Sequence, residues 1–204
     1  SDLESVLEEA GYASILVNTD GDGKREERLL DLLLERGVDG IIDAAVTSQD
    51  KKVTSINERV PIITANRMVF GSGIPAVIND DAAGIKKMFD LLVAKGHKNI
   101  GYIGGPERLS TGEIRNRAFK EAVAINDLEL NAKNTVFANN YTEEDGLNCA
   151  DSIFSNSPNV TAILCANDRL AIGAIEAANS RNLKCPDNVS ITGFNDTPMI
   201  DRIP

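Results

Sequence analysis

The sequence contains 204 residues, of which 42% are hydrophobic and 25% are charged, and its formal net charge at pH 7 is −10. A chain of this length forms one large domain or two smaller ones. The acidic balance argues against direct binding of a phosphate backbone by this segment, which requires clustered Lys and Arg side chains. Because the sequence begins Ser-Asp-Leu-Glu and no apolar run approaches the ~20 residues that span a bilayer, we expect a cytoplasmic chain without a membrane partner.

Two hydrophobic periodicities alternate along the chain. Near-continuous runs of Val, Ile and Leu are typical of parallel strands covered on both faces, whereas apolar residues at i, i+3 and i+4 indicate amphipathic helices. In chain order, we predict strand 13–18, helix 24–36, strands 38–43, 61–65 and 76–79, a helix ending at Gly96, strand 99–104, helix 112–125, strand 134–138, helix 142–154, strand 161–166, helix 168–181 and strand 189–194.

The helix that ends at Gly96 carries the clearest signals. Asp80 and Asp81 precede it as candidate N-caps, and Gly96 suits the left-handed position that follows a helix. Its apolar residues recur at i, i+3, i+4 and i+7, which predicts one buried face: Ile85, Met88, Phe89 and Leu92.

The alternation of strands and helices also predicts the fold class. Repeated β-α-β units form open parallel sheets. Eight strands with their helices divide into two three-layer units more naturally than they fit one, with a break in the polar stretch at residues 79–83. We therefore predict an α/β fold of two Rossmann-like lobes with parallel sheets flanked by helices, an N-lobe at residues 1–80 and a C-lobe at residues 81–196.

Polar residues follow most of the predicted strands. Ligands of open parallel sheets bind beyond the carboxyl ends of the strands, and the residues there are rich in Asn, Asp, Arg, Thr and Tyr. Amides, carboxylates and guanidinium groups can bind neighbouring hydroxyls, and an aromatic ring can lie against a sugar or a base. The same Asn and Asp residues are also favoured as helix N-caps and turn formers, so both interpretations stay open for each of them.

The motifs of common enzyme classes are incomplete or absent in the sequence. The stretch that begins at Gly21 supplies two glycines of a GxGxxG motif, but Glu26 occupies the third position, so we expect no nucleotide cofactor. Neither GxxxxGK[ST] nor GxSxG occurs, and no catalytic constellation can be assembled. We expect no enzymatic activity, with a Rossmann-type dehydrogenase as the distant alternative.

The cysteines and the single histidine do not suggest a metal site. Cys149, Cys165 and Cys185 contain no CxxC pair, and Cys165 lies within an apolar run, which predicts free thiols. His97 follows the helix-ending Gly96 and has no second histidine with which to form a site. We therefore predict no metal and no cofactor.

Several segments resemble the core of the LacI/GalR repressor family, and they cover nearly the whole chain in order. They are NTDGD at 18–22, VDGII at 38–42, GHKNIGYIGGP at 96–106, RNRAF at 115–119, AILCANDRLAIGA at 162–174 and LKCPDNVSITGFNDTP at 183–198. The resemblance implies the periplasmic-binding-protein-like type I fold with a cleft between two lobes. It also implies that residues 1–10 are the first core helix and that residues 197–204 begin a return crossover to an N-lobe that is incomplete here.

The resemblance further implies which side chains bind a ligand. They follow strands of both lobes: Thr111, Arg115, Tyr141, Asn167, Asn195, Asn79 and Arg67. Arg115 corresponds to an arginine that clamps ligand oxygens, and Tyr141 corresponds to an aromatic that stacks on the ligand, whereas Asp168 is expected to cap the following helix. Asn195 and Asn79 stand where relatives carry aspartates, which changes the donor and acceptor pattern offered to the ligand.

For the whole protein, the resemblance implies an effector-binding core that regulates transcription. The expected effector is a sugar or a related small molecule, the expected assembly is a homodimer, and operator DNA would bind only through a helix-turn-helix headpiece that precedes this segment. Some relatives also bind a phosphocarrier protein. The alternative is an exported sugar receptor of an ABC transporter, which a signal peptide in the full gene would indicate.

Overall fold

A computed structural model of the chain describes residues 2–198. Within this range helices and strands alternate, except that the first two helices follow one another and so do the second and third strands. The elements are α1 (Asp2–Glu9), α2 (Gly23–Glu35), β1 (Ile41–Asp43), α3 (Lys51–Asn57), β2 (Ile62–Ala65), β3 (Ala76–Val77), α4 (Asp81–Ala94), β4 (Ile100–Gly104), α5 (Ser110–Ile125), β5 (Thr135–Phe137), α6 (Glu143–Asn156), β6 (Ala162–Cys165), α7 (Asp168–Ser180) and β7 (Ser190–Thr192).

The strands form two separate parallel sheets. The sheet of the N-lobe has the order β1-β2-β3, and the sheet of the C-lobe has the order β5-β4-β6-β7. The predicted α/β fold with two parallel-sheet lobes is therefore confirmed. The lobe boundary at residues 80 and 81 stays a prediction, and residues 199–204 of the predicted return crossover lie outside the described residues.

One predicted strand is wrong and one helix was not predicted. Residues 13–18 form no strand, and the side chain of Leu16 in this segment is 97% exposed. An apolar run becomes a strand only where its backbone groups pair with a neighbour, and neither edge of the N-lobe sheet pairs with it. The unpredicted helix is α3, which Asp50 caps by accepting a hydrogen bond from Val53 N at 2.9 Å.

The two lobes differ in the size of their cores. In the C-lobe, Tyr102 stacks on Phe119 with ring centroids 4.0 Å apart, and Phe89 meets Phe119 edge to face at 5.6 Å. The N-lobe buries a smaller cluster of aliphatic residues, and Ile42 and Ile63 on one face of its sheet are each 45% exposed. The C-lobe is thus packed on both faces of its sheet, whereas the N-lobe sheet is open on one face.

Two glycines allow α6 and α7 to pack closely. A Cβ atom on Gly173 of α7 would lie 1.9 Å from the carbonyl oxygen of Glu143, and one on Gly146 of α6 would lie 2.3 Å from that of Leu170. These helices cover the sheet strands that lead into the candidate site. In the described range, no helix is both long and apolar enough to cross a membrane.

Candidate ligand-binding site

Arg115, in the first turns of α5, lies at the centre of a buried cluster in the C-lobe. The residue is 3% exposed, and its Nε and Nη2 atoms donate to Oδ1 of Asp81 at 3.0 and 2.7 Å. Its Nη1 donates to the carbonyl oxygen of Ala166 at 2.6 Å. The ring of Phe194 lies beneath the guanidinium, with its centroid 3.9 Å from Cζ, so Arg115 is held on one face and along both edges.

The ion pair between Arg115 and Asp81 changes the charge of the site. Asp81 is 2% exposed and lies at the start of α4, where Asp80 provides the N-cap. Since this carboxylate already balances the guanidinium, the cluster carries no net positive charge to attract an anion. The sequence did not suggest this pairing, because 34 residues separate the partners.

Thr111 and Tyr141 lie beside Arg115. The Tyr141 hydroxyl donates to Oγ1 of Thr111 at 3.3 Å, and the Tyr141 ring lies 6.0 Å from Cζ of Arg115. Burial raises the pKa of Tyr141, although the charge of Arg115 and the bond to Thr111 oppose this shift. The phenol therefore stays protonated and available as a hydrogen-bond donor at neutral pH.

Asn167 is the N-cap of α7, and the expectation that Asp168 plays this role is wrong. The Asn167 side chain accepts from Leu170 N at 2.9 Å, and its extended backbone (φ −156°) is that of a residue just outside the helix. Asp168 instead fixes the loop after β7, because its Oδ2 accepts from Thr197 N at 2.8 Å and its N–H donates to the Phe194 carbonyl at 3.1 Å.

Asn195 and Asn79 are not among the buried residues of this cluster. Both are exposed, and Asn195 directly follows Phe194, whose ring contacts Arg115. The backbone of Asn195 is in the left-handed region with φ +107°, which is strained for a residue with a side chain. Whether either amide binds a ligand stays a prediction.

Hydrogen bonds from backbone N–H groups join the two lobes at the carboxyl ends of their strands. Ser48, after β1, donates its N–H to the carbonyl oxygen of Arg108 at 2.9 Å. Met68, after β2, donates its N–H to Oγ of Ser110 at 2.9 Å. The residues that follow the strands in one lobe therefore face those of the other, which is the arrangement expected of a cleft.

Arg67 belongs to a second cluster in the N-lobe, which we call the acidic cluster and which consists of Glu26, Asp43 and Arg67. Glu26 and Asp43 are each only 7% exposed. Oδ1 of Asp43 accepts from Ala45 N at 2.8 Å, and Nη1 of Arg67 donates to the Ala45 carbonyl at 2.9 Å. Burial lowers the pKa of Arg67, and Tyr141 of the C-lobe is close enough to oppose that shift.

Sequence reasoning missed Glu26 and Asp43 as candidate functional residues. Signals for both were present, since Glu26 shares a helix face with the buried Leu30 and Leu33, and Asp43 ends an apolar strand. Burial raises the pKa of Glu26 to about 7, with repulsion from Asp43 and Asp50 adding to the shift. Burial also raises the pKa of Asp43. The acidic cluster thus resists full ionisation.

Replacing Glu26 by glutamine is expected to change how stability depends on pH. The folded-state pKa of about 7 exceeds the ordinary value of 4.5, so the wild-type chain loses stability as pH rises from 4.5 to 7. Glu26→Gln removes this loss and should be more stable than wild type by about 1–3 kcal/mol at pH 8 and no more stable below pH 4.5. Urea unfolding between pH 4 and pH 8 measures the difference. The exposed neighbour provides the control Glu27→Gln, and a pH-independent difference for Glu26→Gln would contradict the expectation.

The histidine and the cysteines considered in the sequence form no part of these two clusters. Nδ1 of His97 is 2.9 Å from Oγ1 of Thr161, at the opposite end of the C-lobe sheet. Cys149, Cys165 and Cys185 are free thiols, as predicted. Among residues 2–198, no three His, Cys, Asp or Glu side chains are grouped so that they could hold a metal ion.

The fold and the site together define a class of protein. Two parallel α/β lobes that meet at the carboxyl ends of their strands, with buried polar clusters on both sides, form a two-lobed core of the kind that binds small molecules. The chain belongs to the family described as periplasmic binding proteins and sugar binding domain of LacI family, whose sequence model matches residues 2–198. The resemblance stated from the sequence motifs is thereby confirmed.

The chain is similar to a catabolite control protein and to a transcriptional regulator. Catabolite control protein A of Staphylococcus xylosus is 29% identical over 202 residues, covering 98% of this chain and 60% of that protein. The HTH-type transcriptional regulator MalR of Streptomyces coelicolor is 31% identical over 208 residues, covering 97% of this chain and 60% of that protein. The chain thus spans about 60% of the length of these curated relatives.

A solved structure supports the same assignment of fold. The crystal structure of a probable LacI family transcriptional regulator from Corynebacterium glutamicum matches with a TM-score of 0.87 at 26% identity. The match covers 100% of this chain and 77% of the other. The chain therefore shares the fold of that protein.

Proposed function

We propose that this chain is the effector-binding core of a LacI-type transcription regulator. Its ligand, a sugar or a related small molecule, binds between the lobes and alters the operator affinity of a DNA-binding headpiece in the whole cytoplasmic protein, which acts as a homodimer. The observation that carries this proposal is the cluster of Arg115, Thr111 and Tyr141 at the edge where the lobes meet. The named relatives are regulators, which favours this function over a transporter receptor and over an enzyme.

The charge of the cluster indicates the chemical class of the ligand. Because Asp81 pairs with Arg115 at 2.7 Å, the site does not require an anionic ligand to balance a buried cation. The rings of Tyr141 and Phe194 provide apolar faces beside hydrogen-bonding groups, which suits a neutral sugar with both C–H and O–H surfaces. We propose Thr111, Arg115, Tyr141, Asn167, Asn195, Asn79 and Arg67 as the residues that contact or shape this ligand.

The proposed mechanism couples ligand binding to the relative position of the lobes. A ligand that contacts both lobes stabilises the arrangement in which it makes the most contacts, and it shifts the population only by that difference in affinity. The hydrogen bonds of Ser48 and Met68 across the boundary lie where such a ligand acts. In a dimer, a change in lobe arrangement alters the spacing of two headpieces.

A thermal-shift screen with monosaccharides, disaccharides, sugar phosphates, nucleosides and purines tests the proposed function. A ligand present at 100 times its Kd stabilises the folded chain by about 2.7 kcal/mol, which a melting curve detects readily. We expect stabilisation by at least one sugar. Stabilisation by purines alone, or by NAD with no response to sugars, would contradict the proposed ligand class.

Replacement of Asn195 by glycine is expected to weaken sugar binding without weakening the fold. Glycine relieves the strain of φ +107° at this exposed position, so thermal stability without ligand should be unchanged or higher. Asn182→Gly is a matched control, since φ is +58° there and the residue follows α7, away from the site. Calorimetry with the best sugar should give a Kd at least about tenfold weaker for Asn195→Gly alone, a loss of about 1.4 kcal/mol. Equal affinities in both variants would exclude Asn195 from the site.

A further inference from the structure

The acidic cluster joins three elements of the N-lobe at one edge of its sheet. Glu26 lies in the first turn of α2, Asp43 is the last residue of β1, and Arg67 follows β2 by two residues. Glu26 and Asp43 are more than nine-tenths buried, although each carries an ionisable carboxyl group. Carboxyl groups at this depth are rare in proteins unless they are paired or have a function.

Each member of the acidic cluster carries a buried polar atom that finds no hydrogen-bond partner among residues 2–198. These atoms are Oε1 of Glu26, Oδ2 of Asp43 and Nε of Arg67. Unsatisfied buried atoms cost folding free energy and are few in native proteins, so three within one cluster require an explanation. Two of them are acceptors when the carboxyls are ionised, and one is a donor.

The cluster lies next to the contact between the lobes. Met68, the neighbour of Arg67, donates its N–H to Ser110 of the C-lobe at 2.9 Å. Arg67 itself lies within electrostatic reach of Tyr141, which is part of the C-lobe cluster. A ligand that contacts Tyr141 would therefore lie on the side of the C-lobe that faces Arg67.

The three atoms without hydrogen-bond partners in the acidic cluster indicate which chemical group of a ligand would bind there. A hydroxyl group can donate to a carboxylate and accept from a guanidinium at the same time, so neighbouring hydroxyls satisfy all three atoms. An ammonium group would leave the Arg67 donor unpaired. A phosphate or carboxylate would accept from Arg67 but would be repelled by whichever of the Glu26 and Asp43 carboxyl groups is ionised, and a buried like-charge contact is costly.

We propose that Glu26, Asp43 and Arg67 form the N-lobe half of the ligand site, which takes an uncharged, hydroxyl-rich end of the ligand and rejects a phosphorylated one. This inference rests on the proposed function, because it assumes that a sugar-like ligand lies between the lobes. It adds Glu26 and Asp43 as residues that determine specificity.

Paired sugars test this selectivity directly. The probes are glucose, fructose, ribose and trehalose, each measured by calorimetry beside its terminal phosphate ester. For any pair that binds, the wild-type chain should favour the neutral sugar by at least about tenfold. The double variant Glu26→Gln with Asp43→Asn keeps the shapes but removes both ionisable groups. In this variant the ratio of the two affinities, neutral sugar over phosphate ester, should fall by at least about tenfold. The control Glu27→Gln removes one exposed charge from the same helix and should leave the ratio unchanged.

The possible results separate this inference from the proposed function. If no sugar or sugar phosphate binds, both fail. If a sugar binds with sensitivity to Asn195→Gly, but the phosphate ester binds as tightly or the double variant keeps the wild-type ratio, then the proposed function stands and this inference is wrong. Should the double variant fail to fold, the single variant Asp43→Asn replaces it in the test. We then expect the preference for the neutral sugar to fall as well. An unchanged preference would contradict the inference.

Discussion

Replacing Arg115 by methionine is expected to lower the free energy of unfolding by about 3–5 kcal/mol, because it leaves the carboxylate of Asp81 buried without a counterion. Asp81 is 2% exposed, and two of the three hydrogen bonds of the Arg115 guanidinium end on its Oδ1. Denaturant unfolding at pH 7 measures the loss. Arg117→Met is the matched control, because Arg117 lies in the same helix and makes only an exposed contact of 4.0 Å with Glu121.

A double variant separates charge from packing in the Arg115 prediction. Arg115→Met with Asp81→Leu removes both ions and leaves apolar side chains of similar size, so it should recover most of the lost stability. If the double variant is as unstable as Arg115→Met alone, the packing of the guanidinium on Phe194 and its bond to Ala166 hold the site together instead. The same energetics mean that loss of ligand binding in Arg115→Ala cannot by itself identify a ligand contact.

Replacing Gly173 by alanine is expected to be the most disruptive single-methyl change in the C-lobe. The new Cβ would lie 1.9 Å from the Glu143 carbonyl oxygen and 2.6 Å from the Leu147 amide nitrogen, which are backbone atoms that cannot rotate away. The helices α6 and α7 would have to separate, at a cost of about 3 kcal/mol or more. Thermal unfolding gives the measurement.

Gly23→Ala provides the comparison for Gly173→Ala. Gly23 begins α2, and a Cβ atom there meets nothing within 4 Å, so alanine should be neutral or slightly stabilising through its helix propensity. If Gly173→Ala and Gly23→Ala unfold at the same temperature, the close approach of α6 and α7 does not constrain the fold.

Much of the C-lobe was predictable because its signals are local. The helix ending near Gly96 and the strand at Ile100–Gly104 follow from N-caps, a C′ glycine and a continuous apolar run. The segment at residues 13–18 has an equally apolar sequence, yet it forms no strand. The prediction failed there because strand formation depends on pairing with a neighbouring strand, which the local sequence does not encode.

The composition of the candidate site was predicted less well than the fold. The resemblance singled out Thr111 and Arg115 after β4 and Tyr141 after β5, and these three side chains lie together in the structure, although their role as ligand contacts stays a prediction. It could not identify Asp81 as the partner of Arg115, since this contact depends on how α4 and α5 pack. The acidic cluster was missed for a similar reason, because a single Glu on a helix face looks like a solvated residue until its burial is known.

The central claim is that one ligand contacts both lobes, and hydrogen exchange tests it most directly. With the best sugar of the thermal screen at saturation, we expect slower amide exchange in residues 44–48 and 67–70 of the N-lobe and in residues 108–112 and 139–141 of the C-lobe, relative to the chain without ligand. At a sugar concentration equal to the wild-type Kd, Asn195→Gly should show much less of this protection than the wild-type chain, and the loss should occur in both lobes together. Protection confined to one lobe, or located away from these residues, would contradict the account.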